Sequence, residues 1–164
     1  LGHIGIQVLK ALTASELIVV DRNPAALELA ASLGADHTVQ ATDDGSHVTR
    51  VLELTEGNGA EVVIDFVGEG GSTAQGVAML RQAGDFFVVG YGENIDIPTI
   101  DIISSEISFI GNLVGSYDDL TELMVLAARG LVTLHTATYA LDDFQRAIDD
   151  LDAGRVRGRA ILVP

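Results

Sequence analysis

EVVIDFVGEGGSTAQGVAMLRQAGDFFVVGYG, residues 61–92, decides the fold. Its opening, EVVIDFVG (61–68), is an apolar β-branched run closed by glycine, which reads as a strand covered on both faces. STAQGVAMLRQAG (72–84) reads as a helix, and DFFVVGYG (85–92) as a second strand of the same kind. A strand, a glycine turn, a helix and a strand make a βαβ unit. Its two strands run parallel because the helix carries the chain back to the starting end.

The same alternation extends both ways. Upstream, Gly2 to Ala14 carries Ile4, Ile6, Val8, Leu9 and Leu12 on a mostly apolar helix, and ELIVVD (16–21) is a short buried strand. Asn23-Pro24 starts the next helix, with Asn23 as its cap and Pro24 in its first position. That helix closes at Gly34. DHTVQ is a brief strand, and HVTRVLELTEG is an amphipathic helix stopped near Gly57. Downstream, IDIPTIDIISSE is a small excursion before the strand ISFIGNLVG (107–115). The expected fold class is α/β, a Rossmann-type doubly wound parallel sheet with helices on both faces. After residue 115 the rhythm changes to a long helix (117–132), the strand-like HTATYAL, the helix LDDFQRAIDDLDAG and the last strand VRGRAILVP. The expected division is therefore a domain over 1–115 and a C-terminal segment over 116–164.

Charge and composition narrow the function. Among 164 residues, 24 Asp plus Glu oppose 9 Lys plus Arg, for a net charge of -15. Such a surface repels nucleic acid and anionic lipid, so neither is an expected partner. It suits a cytoplasm at high salt, where screening relieves self-repulsion; a salt-loving source is the favoured reading, and a merely acidic protein the plain one. There is no cysteine, and His3, His37, His47 and His135 are scattered without metal-ligand spacing. No apolar run approaches a membrane span and nothing resembles a signal peptide, so a cytoplasmic location is expected.

LGHIGIQVLKALTASELIVVDR (1–22) raises the functional question. A nucleotide-binding unit usually runs strand, glycine turn, helix, strand, acid; here the helix, second strand and acid are visible. The first strand and part of the glycine turn are expected to lie outside this chain. Such a turn lets pyrophosphate approach backbone N–H groups at a helix N-terminus. Asp21, at the end of the second strand, stands where a carboxylate accepts the adenosine ribose hydroxyls and repels a 2′-phosphate. Arg22 complicates this, because a guanidinium there tolerates the extra phosphate. Two glycines and an acid are weak evidence alone; Gly2 and Gly5 also fit simple tight packing, and methyltransferases share the pattern.

The runs LGHIGIQ, VVDRNPAALELAASLGAD and VVIDFVGEGGSTAQGVAMLRQAGDFFVVGYG, with TELMVLAARGLV and the closing GRVRGRAILVP, closely resemble the medium-chain alcohol dehydrogenase family. The resemblance covers essentially the whole chain and is strongest over DFVG and FVVGYG with the helix between them. It implies hydride transfer between an alcohol or carbonyl substrate and NAD, with NADP the lesser cofactor. Leu1 and Gly2 match the turn at the pyrophosphate, and Asp21, with Arg22 beside it, the ribose acid. Phe66, Val67 and Gly68 match residues on the adenosine and ribose side, and Val89 and Gly90 the strand end at the nicotinamide. Asn112, Leu113 and Val114 match the segment whose backbone holds the carboxamide. Arg157 matches an arginine reaching back to the pyrophosphate. Plain strand packing, or a solvated arginine at 157, is the alternative for these positions.

The resemblance further implies that zinc polarises the alcohol oxygen from ligands in an N-terminal half that these residues do not contain. No catalytic residue or metal ligand is assigned here, and the chain alone is expected to be inactive. A zinc-free quinone or enoyl reductase of the same fold, a non-catalytic nucleotide-binding module and, more distantly, a methyltransferase remain open. His3 reads as a packing histidine, the Asp-Asp pairs as caps and solvated loops, and Asp65 as a satisfied structural carboxylate. Relatives pair the strand 107–115 across a two-fold axis, so a homo-oligomer through that edge is implied; IDIPTIDII covering the edge is the alternative.

Overall fold

The apolar residues behind Leu1 wind into α1 (Gly2–Leu12), and IVVD extends into β1 (Ile18–Asp21), in the computed structural model, which describes residues 1–164. Asn23 then caps α2 (Pro24–Ser32): its Oδ1 accepts the N–H of Ala25 at 2.9 Å, with Pro24 at the first turn as expected. Gly34, at φ +98°, lets the chain leave α2 while the Ala35 N–H returns to the Ala30 carbonyl at 3.1 Å. β2 (His37–Gln40) follows and pairs parallel with β1, from Ile18 opposite His37 to Asp21 opposite Gln40.

Residues 1–40 and 117–164 form one compact unit and residues 41–116 another. The second unit holds α3 (Ser46–Leu54), β3 (Ala60–Asp65), α4 (Ser72–Ala78), β4 (Leu80–Val88), α5 (Thr99–Ser105) and β5 (Ser108–Gly111). Its three strands lie side by side in the order β3-β4-β5, all parallel. Phe86 is fully buried at its centre, and its ring meets Phe109 at 5.5 Å between centroids. Gly76 permits α4 to sit this close: a Cβ there would stand 2.7 Å from a Phe86 ring carbon. The glycine costs about 1 kcal/mol of helix propensity, which burial of the large Phe86 ring outweighs.

In the first unit, α6 (Tyr117–Ala128) buries Leu126, and β6 (Thr136–Ala140) pairs parallel with β7 (Arg159–Val163). A single 3-10 turn over Leu141–Asp143 leads into α7 (Phe144–Asp152), which buries Ala147. Buried Gln7 joins α1 to the chain after α6. Its amide donates to the carbonyls of His3 and Thr133 at 2.8 and 2.9 Å and accepts the Thr133 N–H at 2.8 Å.

Four readings of the sequence need correction. The helix expected over 72–84 ends at Ala78, because Leu80 pairs with Ala60, the register then slips, and Ala83 turns at φ +54°. The ladder resumes at Asp85 and ends at Val88, short of the expected Gly92. The excursion after Gly92 contains a helix, α5, begun behind Pro98 despite its run of isoleucines. The strand expected over 107–115 is ordered as β only across Ser108–Gly111.

Candidate cofactor site

Asp21 ends β1, and its carboxylate is aimed by its own turn: Oδ1 accepts the N–H of Asn23 at 2.8 Å. Its second oxygen remains available to an incoming donor. While capping α2, Asn23 also donates from Nδ2 to the carbonyl of Gly154 at 3.0 Å. From there the chain passes Arg155, whose guanidinium is held by Asp150 at 2.7 Å, to Arg157 and Gly158. Gly158 has φ +81°, and a Cβ on it would lie 2.2 Å from the His135 carbonyl oxygen, so only glycine fits.

A cavity of about 220 Å³ opens among these elements, walled by Gly2, His3, Asp21, Asn23, Arg157 and Gly158 with apolar surface from Ile6, Val19, Leu29 and Ala30. It is smaller than the roughly 300–1,000 Å³ of a pocket enclosing a whole ligand, so it suits one portion of a dinucleotide. A Cβ on Gly2 would meet nothing within 4 Å, so packing does not require that glycine. α1 begins without a side-chain cap and without an acid in its first turn, unlike the capped α2. Its first N–H groups and the positive end of its dipole therefore favour an anion, and Arg157 adds a fixed charge.

Of the residues singled out above, Gly2, Asp21 and Arg157 thus share one cavity. Leu1 is exposed and does not line it, and Arg22 is exposed and engaged in interactions of its own. His3, Asn23 and Gly158 line it without having been assigned there. Burial first, then the positive charges of the amino end, His135 and Arg159, hold the His3 imidazole below its ordinary pKa. Its Nε2 is enclosed without a hydrogen-bond partner. Nothing in the sequence marks the Asn23–Gly154 bond, since the two residues lie far apart along the chain.

In the second unit the remaining candidates sit at the carboxyl ends of β3, β4 and β5, the end of a parallel sheet where ligands bind. Buried Asp65 organises the turn after β3. Its Oδ1 accepts the N–H groups of Val67 and Gly68 at 2.8 and 3.1 Å, and its Oδ2 the hydroxyls of Ser72 and Thr73 at 2.9 and 3.0 Å. This agrees with a structural carboxylate. The Val89 and Gly90 N–H groups both bond to the Asp65 carbonyl, at 3.0 and 2.8 Å. Gly68 and Gly90 meet backbone to backbone: a Cβ on either would lie 2.4 or 2.3 Å from a carbonyl carbon opposite.

After β5, the Asn112 N–H bonds to the Val88 carbonyl at 3.0 Å and its side-chain amide to that of Ile110 at 3.0 Å. Leu113 and Val114 then stand 92% and 102% exposed, with Val114 at φ +53°. Phe66 is half-buried and Val67 exposed at the turn after β3.

Zinc does not fit residues 1–164. No group of three or more His, Cys, Asp or Glu is gathered to hold a metal. Each histidine also has another occupation. His3 meets His135 edge-on at 6.0 Å, and His37 bonds Glu16 at 2.8 Å. Buried His47 accepts the Thr42 N–H at Nδ1, so its Nε2 carries the proton that faces Gln75 Oε1 at 3.2 Å.

Residues 1–129 match the family of zinc-binding dehydrogenases. An NAD-dependent alcohol dehydrogenase of Sulfurisphaera tokodaii is 34% identical over 100% of this chain and 48% of its own length. A D-arabinose 1-dehydrogenase (NADP(+)) of Saccharolobus solfataricus is 32% identical over 97% of this chain and 45% of its own. Among solved structures, the alcohol dehydrogenase of Aeropyrum pernix superposes with a TM-score of 0.94 at 42% identity, covering 99% of this chain and 47% of that one. The chain spans about half the length of the curated relatives it matches. The Aeropyrum pernix enzyme shares the fold described above, and the chain belongs to the zinc-binding dehydrogenase family.

Proposed function

We propose that this chain is the nicotinamide-cofactor-binding part of an alcohol dehydrogenase that moves hydride between an alcohol and NAD. One observation carries the reading: the Asp21 carboxylate lines the same cavity as Arg157 and the uncapped start of α1. Asp21 accepts the two hydroxyls of the adenosine ribose, its orientation preset by the Asn23 N–H. The Leu1–Gly2 turn, with the first N–H groups of α1 from Gly2 onward, and the Arg157 fork receive the pyrophosphate. Phe66, Val67 and Gly68 line the adenosine side. Val89 and Gly90 flank the nicotinamide, and the backbone of Asn112, Leu113 and Val114 takes its carboxamide. When bound, the nicotinamide accepts or gives the hydride; these residues bind and orient it.

On this reading residues 1–115 make the cofactor domain, and residues 116–164 lend Arg157 to it while packing on a catalytic domain. The substrate is a small alcohol or carbonyl compound, and β5, the outer strand of its ladder, joins a second copy. NAD is preferred over NADP because Asp21 repels a 2′-phosphate, although Arg22 is at hand to meet one.

Fluorescence titration with NADH and NADPH tests the reading, with NADH binding the tighter. Asp21→Ser removes hydrogen bonds to a charged acceptor, so NADH should bind roughly ten- to a hundredfold more weakly. The gap to NADPH should narrow with it. Tighter NADPH binding by the parent chain, or an unchanged NADH affinity in the variant, would overturn the assignment.

A further inference from the structure

Asn23 has three jobs in this fold, and only the helix cap was legible beforehand. Its backbone N–H fixes Asp21, its Oδ1 caps α2, and its Nδ2 holds the carbonyl of Gly154. The turn it holds is made of left-handed glycines, Gly154 at φ +66° and Gly158 at φ +81°, with Arg157 between them. Gly158 is pinned at its far end against His135, and a Cβ on Gly154 would already stand 3.4 Å from Asn23 Nδ2. The backbone carrying Arg157 is thus clamped from both sides, by His135 and by Asn23. Asn23, Asp21 and Arg157 line the same cavity.

We infer that Asn23 is a positioning residue that sets Arg157 against the anionic part of the ligand by tying the C-terminal turn to the β1–α2 turn. The inference rests on the cofactor reading above. A guanidinium on a free glycine-rich turn would lose orientational freedom on meeting a pyrophosphate. Holding the turn in advance removes much of that cost. The amide is suited to this because it can accept from the helix and donate to the turn at once. Serine and threonine can do only the first from this position, since their side chains are one atom shorter.

Asn23→Ser in the full chain therefore keeps the α2 cap and releases the turn. Adenosine, which has the ribose but no phosphate, and ADP-ribose, which has the pyrophosphate, serve as probes in calorimetric titrations. The variant should bind ADP-ribose roughly two- to tenfold more weakly, the worth of one hydrogen bond, and adenosine as before. In an Arg157→Gln background the same substitution should add no further loss. Equal weakening of both probes would mean that Asn23 acts through Asp21 or α2, and the inference fails. It also fails if ADP-ribose binding is unchanged, or if the two losses simply add. Should the serine variant unfold, Asn23→Thr keeps a capping hydroxyl and runs the same comparison. If Arg157→Gln alone leaves ADP-ribose affinity unchanged, the cofactor reading itself is at fault.

Discussion

Asp65 offers the sharpest test of how the turn after β3 is held. Replacing it with alanine strips acceptors from four donors, but the four are not equivalent. The hydroxyls of half-buried Ser72 and Thr73 can turn to water, whereas the N–H groups of Val67 and Gly68 point inward from a bend whose Gly68 is buried. Two backbone donors left unpaired cost about 1–3 kcal/mol each, so Asp65→Ala should destabilise by about 2–6 kcal/mol. That is a large fraction of the roughly 5–15 kcal/mol that holds an ordinary domain together. Asp65→Asn keeps an acceptor for both N–H groups and loses only charge assistance on them, so its loss should be less than half as great. Urea unfolding of the two variants beside the parent measures both, and amide exchange at Val67 and Gly68 reports whether the bend has opened. A loss below about 1 kcal/mol for the alanine variant would refute the reasoning, as would equal losses in the two.

Acid should weaken the fold through Asp44, whose carboxyl is lowered from 3.8 to about 2, first by the N–H of Ser46 and then by the Thr42 and Ser46 hydroxyls. A depressed carboxyl stabilises the fold above its unfolded value, and that contribution is lost as pH falls from about 4 to about 2. Asp44→Asn should flatten stability across that window in a pH series of denaturation curves, and an unchanged slope would remove Asp44 from the account. Salt should act in the opposite sense. With a net charge of -15, self-repulsion opposes the compact state, and the Debye length falls to about 3 Å at 1 M salt. Thermal midpoints should climb through the molar range of potassium chloride, and a flat series would withdraw the salt-adapted reading. Ile110→Lys, on the outer strand β5, sets like charges near each other if two copies pair there. Sedimentation should then show monomer where the parent shows dimer, and a persisting dimer would place the contact elsewhere.

Local chemistry made much of this fold readable. Asn23, Pro24 and Gly34 bracket α2 because caps, proline and left-handed glycine act within a few residues. The reading went astray where pairing between distant segments overrode local preference. MLRQAG continues a helical pattern, yet Leu80 is claimed by Ala60 and the chain turns at Ala83. The isoleucines of α5 suggest extended chain, but the helix forms behind Pro98. Among site residues, Asp21 announced itself as an acid ending an apolar run. Arg157 did not, because nothing in VRGR says which distant surface it reaches; only the family resemblance placed it. Neither Asn23's second bond nor the fit of Gly158 against His135 leaves any local signature.

The contact between Gly68 and Gly90 bears on which descendants of this sequence can exist. Neither can carry a side chain: a methyl group on Gly68 would overlap the main chain of Gly90 and Tyr91, and one on Gly90 the main chain of Phe66 and Val67. Relief would require both turns to separate at once, yet the Val89 and Gly90 N–H groups tie the second turn to Asp65. No single codon change opens a path through that arrangement, and a paired change meets the same obstruction twice. In a saturation library both positions should empty of every alternative together, while the flanking Val67 and Tyr91, which face solvent, fill with many residue types.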